Sequence, residues 1–370
     1  MRILHLYKDY APVVGGIENH VRLLAETQAA AGHEVTVLAT SATAYTTIET
    51  VGGVRVIKAA RLATVASTPI SLRYAALLRA QEPDVTHLHF PYPLAEASQY
   101  LLGRGRPLVV TYHSDVIRQQ SILRLYRPLM LRALARAGCI LATSPNYLAA
   151  SPVLAQVAGR CRVVPLGIDR RPFLASGEAD AAPWRARCGP GPLLLFVGVL
   201  RYYKGLQYLL AALPAIAGAR LLVVGEGPMR PELERQIAAL GLGERVILAG
   251  RVPAAQLPGC YRAADLFCLP ASERSEAFGL VQVEAMSSGL PVISTELGTG
   301  TSYVNQHGES GWVVPPRDPA ALAHAANALL ADPAERQRLA EGALLRSEQF
   351  DAARMVAAVE AVYLEISAHG

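Results

Sequence analysis

Two carboxylates eight residues apart, Glu276 and Glu284, bracket the densest run of chemically capable residues in the chain. Between them stand Phe278, Gly279 and Leu280, and a helical pattern runs over 280–287 until Gly289 and Pro291 stop it. An apolar run at 265–270 precedes this stretch and reads as a buried strand. The order is therefore strand, loop, helix, with the helix opening near Phe278. First-turn N–H groups have no partner inside a helix, and the dipole favours an anion beside them. One carboxylate thus stands on the loop before an anion site and the other inside the helix. Arg201 and Lys204 follow a strand pattern at 193–197 and precede another helix. Arg can clamp a phosphate with two N–H groups, and Lys acts as a point charge. In the first half, Gly15 and Gly16 follow the first strand and open a helix, where a bare backbone admits a close ligand. His113 follows the strand at 107–112 at its carboxyl end, placed to bond a ligand hydroxyl or stabilise developing charge. His5, His87 and His89 lie in or beside core strands and read as packing histidines.

Glu276 and Glu284, spaced around Phe278-Gly279-Leu280 and followed by Gly289-Leu290-Pro291, resemble the donor-site motif of retaining GT-B glycosyltransferases of family 4. The resemblance implies a role for each matching residue. Glu276 would meet the donor sugar, the main-chain N–H groups of Phe278, Gly279 and Leu280 the diphosphate, and Glu284 the ribose hydroxyls. Gly15 and Gly16 would face the diphosphate across a cleft, with Arg201 and Lys204 on it, and His113 would be the active-site histidine. The turn at Gly225 and the main chain at Arg251 and Val252 would line the base pocket. The sequence contains no Asp-x-Asp and no Cys/His metal cluster. Charge on a leaving nucleoside diphosphate would then fall to Arg201, Lys204 and helix N-termini, with no metal and no cofactor. Ser302 stands where the commoner family pattern has an acid. That variant resembles bacterial polysaccharide mannosyl- and rhamnosyltransferases, which favours a GDP-mannose or GDP-rhamnose type of donor, a UDP-sugar being the alternative. The implied reaction moves a hexose, with retention, to a hydroxyl of a glycan or lipid-linked acceptor. Two rivals use the same features: a GT-B sugar-nucleotide epimerase and a non-catalytic two-domain sugar-binding protein.

Positioning these residues requires two α/β halves. Strand patterns at 2–6, 34–39, 84–88, 107–112 and 139–143 alternate with helical ones, and Gly52-Gly53 marks a hairpin between 46–50 and 54–58. A second series follows at 193–197, 220–224, 245–249, 265–269 and 291–295. Such alternation argues parallel sheets covered on both faces, and ligands bind outside the carboxyl ends of their strands. The expected organisation is an acceptor domain over 1–168, a Pro/Gly/Ala-rich linker over 169–192, a donor domain over 193–349, and a C-terminal helix over 350–370 that returns to the first domain. The expected architecture is α/β, two Rossmann-like doubly wound domains facing a central cleft.

Composition narrows the class further. Hydrophobic residues make up 52% and charged residues 18%, the balance of a globular chain with large cores. The apolar runs are too short for a membrane span. Five scattered cysteines, Cys139, Cys161, Cys188, Cys260 and Cys268, include no Cys-x-x-Cys and suit a reduced, cytoplasmic protein. Residues 1–168 hold 17 Lys and Arg against 9 Asp and Glu, whereas the rest hold 18 against 21. One basic half points to an anionic partner. Arg118, Arg124, Arg127, Arg132 and Arg136, interleaved with leucines, form a basic apolar segment that can lie on an anionic membrane. Pro128 is expected to divide it into two short helices. The expected location is the cytoplasm, peripheral to the inner face of the membrane, with no nucleic-acid partner.

Overall fold

The computed structural model describes residues 1–13, 15–65, 68–103, 107–116 and 120–368. The chain divides into two compact units, residues 1–167 with 352–370, and residues 168–351.

The first unit is built on β1 (Arg2–Leu6), β2 (Glu34–Thr40), β3 (Thr47–Val51), β4 (Val54–Ala59), β5 (Ala63–Val65), β6 (Thr68–Ile70), β7 (Val85–Phe90), β8 (Leu108–Tyr112), β9 (Cys139–Ala142) and β10 (Cys161–Val163). Eight of these form one sheet in the order β10-β9-β8-β7-β1-β2-β4-β3, while β5 and β6 pair separately. All its neighbours are parallel except the β3–β4 hairpin at the edge. The central strands are buried from end to end, because helices cover both faces. The order reverses between β1 and β7, the switch point where a doubly wound sheet opens a ligand site. The helix Ala352–Ala368 packs into this unit's core through Met355, Val356, Val359, Val362 and Tyr363, beside Val21 and Leu24 of the helix Gly16–Ala30.

The helix Gln120–Ala135 runs through Pro128, where two short helices were expected. Proline removes one N–H from the ladder, but Pro128 is exposed while Met130, Ala133 and Leu134 bury the opposite face. Packing of that face holds the helix together across the missing bond. Arg118 lies outside the described residues. Arg124, Leu125, Arg127, Arg132 and Arg136 are exposed.

The second unit is built on β11 (Leu193–Val197), β12 (Arg220–Val224), β13 (Val246–Gly250), β14 (Leu266–Leu269), β15 (Val292–Thr295) and β16 (Gly311–Val314). They form one parallel sheet in the order β13-β12-β11-β14-β15-β16, so the switch point lies between β11 and β14. Residues 169–192, read from sequence as a linker, hold the helices Arg171–Ala175 and Glu178–Cys188 and group with this unit. Arg185 makes two hydrogen bonds to Asp265, of 3.1 and 3.0 Å, tying the second of these helices to the entry of β14.

Candidate active site

In the second unit the site grows from the two loops at the switch point. After β11 the chain makes a short turn, Tyr202–Lys204, and reaches Gly205 with φ of 71°. A Cβ at Gly205 would lie 1.8 Å from the Pro270 carbonyl oxygen, so only glycine lets this turn press against the loop after β14. The Ser272 N–H bonds the Tyr203 carbonyl at 2.8 Å and locks the two loops together. The consequence is an ion pair: Lys204 Nζ lies 2.5 Å from Glu276 Oε2, with both side chains largely buried, 12% and 9% exposed. Burial works against the Lys204 charge, yet the Glu276 carboxylate, with Tyr203 and Glu284 beside it, holds the lysine pKa above its ordinary value.

Beyond Glu276 the loop is pinned by Thr299, whose hydroxyl donates to the Glu276 carbonyl at 2.9 Å, and by the Gly300 N–H on the Ala277 carbonyl at 2.7 Å. Phe278 is buried edge-on against Phe350. Gly279 then takes a left-handed conformation, φ 79°, and opens the helix Leu280–Ser287, the span read from sequence. Glu284 sits inside that helix, and the Tyr261 hydroxyl donates to its Oε2 at 2.6 Å. Burial raises the Glu284 pKa to about 7, with the Tyr261 bond and the Lys204 charge pulling the other way. Tyr261 escaped the sequence reading because it comes from a different helix, Leu257–Ala263.

The other residues expected on this side lie around the same strand ends. Arg201 is exposed and has no carboxylate partner among the described residues. The Gly225 N–H bonds the Gly250 carbonyl at 2.8 Å, joining the turns after β12 and β13; Arg251, next along, is exposed and Val252 half-buried. The Ser302 hydroxyl donates to Glu296 Oε1 at 2.9 Å, and the Gly298 N–H bonds the same oxygen at 2.7 Å. A carboxylate therefore does stand in this loop, supplied six residues earlier than the commoner pattern supplies it.

The first unit presents a different chemistry. Gly15 caps the helix Gly16–Ala30, and the Glu18 carboxylate folds back so close that a Cβ on Gly15 would meet its Oε2 at 2.2 Å. His113 is 3% exposed, and its Nε2 lies 3.2 Å from His89 Nδ1. His89 Nε2 lies 3.1 Å from His5 Nδ1, and His5 Nε2 lies 2.8 Å from Gln28 Oε1. His87 bonds the Tyr363 hydroxyl at 2.5 Å and the Thr111 hydroxyl at 2.7 Å. The three strand histidines are thus satisfied, as packing histidines are, but His89 bonds His113 directly and His5 reaches it through His89. His20 was not singled out in the sequence. It is buried, packs edge-on against His113 with ring centroids 5.1 Å apart, and has no hydrogen-bond partner on either nitrogen among the described residues. Burial keeps this cluster uncharged: His5 is lowered to about 4, His20 to about 3, and His87, His89 and His113 well below the ordinary value.

Ring nitrogens of His5, His87 and His89, and of His20, His89 and His113, lie within 4.8 Å of one another, close enough to share a metal ion. In the first set each ring nitrogen already faces a hydrogen-bonding partner, and no carboxylate stands in either set to balance a cation.

Two doubly wound sheets in one chain are the architecture of the GT-B class of glycosyltransferase, and the chain matches such structures along its whole length. Residues 14–171 match the model of Glycosyltransferase Family 4, and residues 186–346 match that of Glycosyl transferases group 1. The chain is 41% identical to the D-rhamnosyltransferase WbpZ of Pseudomonas aeruginosa, over 94% of this chain and 92% of that one. It is 35% identical to the O-antigen chain mannosyltransferase C of Escherichia coli, over 98% of both. Among solved structures it resembles a sucrose-phosphate synthase from Thermosynechococcus elongatus, with TM-score 0.84 and 25% identity over 100% of both chains. HepE of Anabaena, solved with UDP, shares the fold at TM-score 0.81 and 22% identity, over 99% of this chain and 100% of that one. The chain belongs to glycosyltransferase family 4, a family of retaining, metal-independent transferases.

Proposed function

We propose that this glycosyltransferase moves mannose or D-rhamnose from a GDP-sugar to a hydroxyl of a growing surface polysaccharide, on a glycan or lipid-linked acceptor. The observation that carries the reading is the buried Lys204–Glu276 pair at the β11/β14 switch point, one turn of chain from a helix N-terminus that has no side-chain cap among the described residues. A cation, exposed Arg201 and N–H groups without partners among the described residues together suit a leaving diphosphate, whose developing charge they stabilise. Glu276 orients the sugar and faces the positive charge that develops at its anomeric carbon. Glu284 accepts hydrogen bonds from the ribose hydroxyls, and the turns at Gly225, Arg251 and Val252 carry the base. Gly15 and Gly16 supply main-chain N–H groups to the diphosphate, and His113 contacts a sugar hydroxyl. The choice of sugar is supported by the printed activities of the two relatives with near-complete coverage, a D-rhamnosyltransferase and a mannosyltransferase.

The test incubates the purified protein with GDP-mannose, GDP-D-rhamnose and UDP-glucose, with and without EDTA, and measures nucleoside diphosphate release. Release from a GDP-sugar that survives EDTA is expected. Release from UDP-glucose alone overturns the donor, and conversion to a new sugar nucleotide supports the epimerase. The exposed Arg124, Arg127, Arg132 and Arg136, with exposed Leu125, support a peripheral seat on anionic membrane. Liposome flotation checks this, and equal absence of binding to anionic and neutral vesicles removes it.

A further inference from the structure

The histidine chain in the first unit has a direction that its end group sets. An amide oxygen only accepts hydrogen bonds, and a neutral imidazole carries one N–H and one bare nitrogen. Gln28 Oε1 faces His5 Nε2 at 2.8 Å, so the His5 proton is on Nε2 and its Nδ1 is bare. His5 Nδ1 then accepts from His89 Nε2, which leaves His89 Nδ1 bare. His89 Nδ1 accepts from His113 Nε2, which leaves His113 Nδ1 bare. That last nitrogen is buried and has no partner among the described residues.

We propose that Gln28, acting through His5 and His89, fixes His113 as its Nε2–H tautomer and so presets Nδ1 as a hydrogen-bond acceptor for a substrate hydroxyl. The proposal rests on the reading of His113 as a substrate contact. Gln28 is in this sense a positioning residue, three hydrogen bonds away from the atom it sets.

One further observation agrees with the assignment. Burial keeps all three imidazoles neutral, so each has the single proton that the argument needs. The chain is not a proton relay. It ends on an amide that neither takes nor releases a proton, so nothing put on His113 can leave through Gln28. What it transmits is a choice between two tautomers, and that choice suits a group that must accept a hydroxyl proton rather than offer one.

The experiment labels the full-length protein with ¹⁵N-histidine and reads each ring's tautomer from long-range ¹H–¹⁵N correlations, with assignments from single His variants. His5, His89 and His113 are expected to show protonated Nε2 and bare Nδ1. Protonated Nδ1 on His113 overturns the proposal, and that measurement needs no variant. In Gln28→Leu the His113 signals are expected to report a mixture of tautomers. Equal populations would raise the donor or acceptor KM by about twofold, because only the competent fraction binds well. A folded Gln28→Leu protein whose His113 keeps one Nε2–H tautomer removes Gln28 from the role. His113→Phe addresses the reading beneath: unchanged turnover there means that His113 does not contact substrate, while the spectra of His5 and His89 still decide the direction of the chain.

Discussion

The two units share a way of making a site and differ in what they put in it. Both turn the strand order around beside their first strand, at β1/β7 and at β11/β14. At the first switch point stand imidazoles, His5 on β1 and His87 and His89 on β7, with His20 and His113 beside them, all buried and all held neutral. At the second stand charges, Lys204 on Glu276 with Glu284 nearby. The difference suits the chemistry proposed for each side. A departing diphosphate gains negative charge and needs fixed cations and N–H groups. A hydroxyl changes charge little and needs a well-aimed acceptor, which an uncharged ring provides without the penalty of burying an ion.

The sharpest way to break this comparison is to remove charge from the second unit. Lys204→Met leaves Glu276 buried and unpaired, which should lower stability by about 3–5 kcal/mol. Adding Glu276→Gln should restore most of the melting temperature but not turnover, which should stay down on the order of 10²–10³-fold. Arg201→Ala should lower turnover with no change in melting temperature, because the side chain is exposed. A double variant that regains full turnover would make the pair a structural device only.

Replacing the two carboxylates one at a time separates binding from catalysis. Ribose hydroxyls keep their charge through the reaction, so Glu284→Gln should mainly raise donor KM. Glu276→Gln should mainly lower kcat. Steady-state kinetics with folded variants check both, and the reverse pattern would exchange the roles.

The smallest expected effect is on pH dependence, and it has opposite signs in the two units. Glu284 has a folded pKa of about 7 against an ordinary 4.5, so its contribution is full below 4.5 and lost as pH rises through 7. His5 and His20 run the other way. Their folded values of about 4 and 3 lie below 6.5, so their contribution is present above 6.5 and lost as pH falls. Glu96 in the first unit, raised to about 7 by burial, shares the sign of Glu284 and partly offsets the histidines there. Melting curves from pH 5 to 8 should therefore lose part of their alkaline fall in Glu284→Gln and part of their acid fall in His20→Leu. Identical pH profiles in wild type and both variants would dissolve the distinction.

What the sequence disclosed follows the range of the interactions. The helix Leu280–Ser287 was legible because its start, apolar run and Gly289 stop all lie within one short stretch. Glu276 and Glu284 were singled out for the same reason. The helices Arg171–Ala175 and Glu178–Cys188 were not, since Pro172, Pro183 and the surrounding glycines read as linker. Packing against the helix Leu257–Ala263 and the Arg185–Asp265 pair hold them instead, and neither is local. The short edge strands β10 and β16 also escaped, being too brief for a periodic signal. The partners in the histidine chain lie 84, 24 and 23 residues apart and could not be paired from sequence. One clue was present: His20, Leu24 and Gln28 repeat at helical spacing, on one face of the helix that Gly15 caps.

The helix Ala352–Ala368 carries a consequence for how the protein is made. It supplies five buried side chains to the core of the first unit and the Tyr363 hydroxyl to His87, yet it follows the whole second unit in sequence. Domains fold largely in the order they leave the ribosome. Here the first unit emerges first but lacks part of its core until the last helix is synthesised. During that interval Val21, Leu24 and their neighbours have an uncovered apolar face, the kind of surface that chaperones hold and that aggregation exploits. The unit begun first is therefore the unit finished last, and its histidine site takes its final form only when the second unit has already had time to fold.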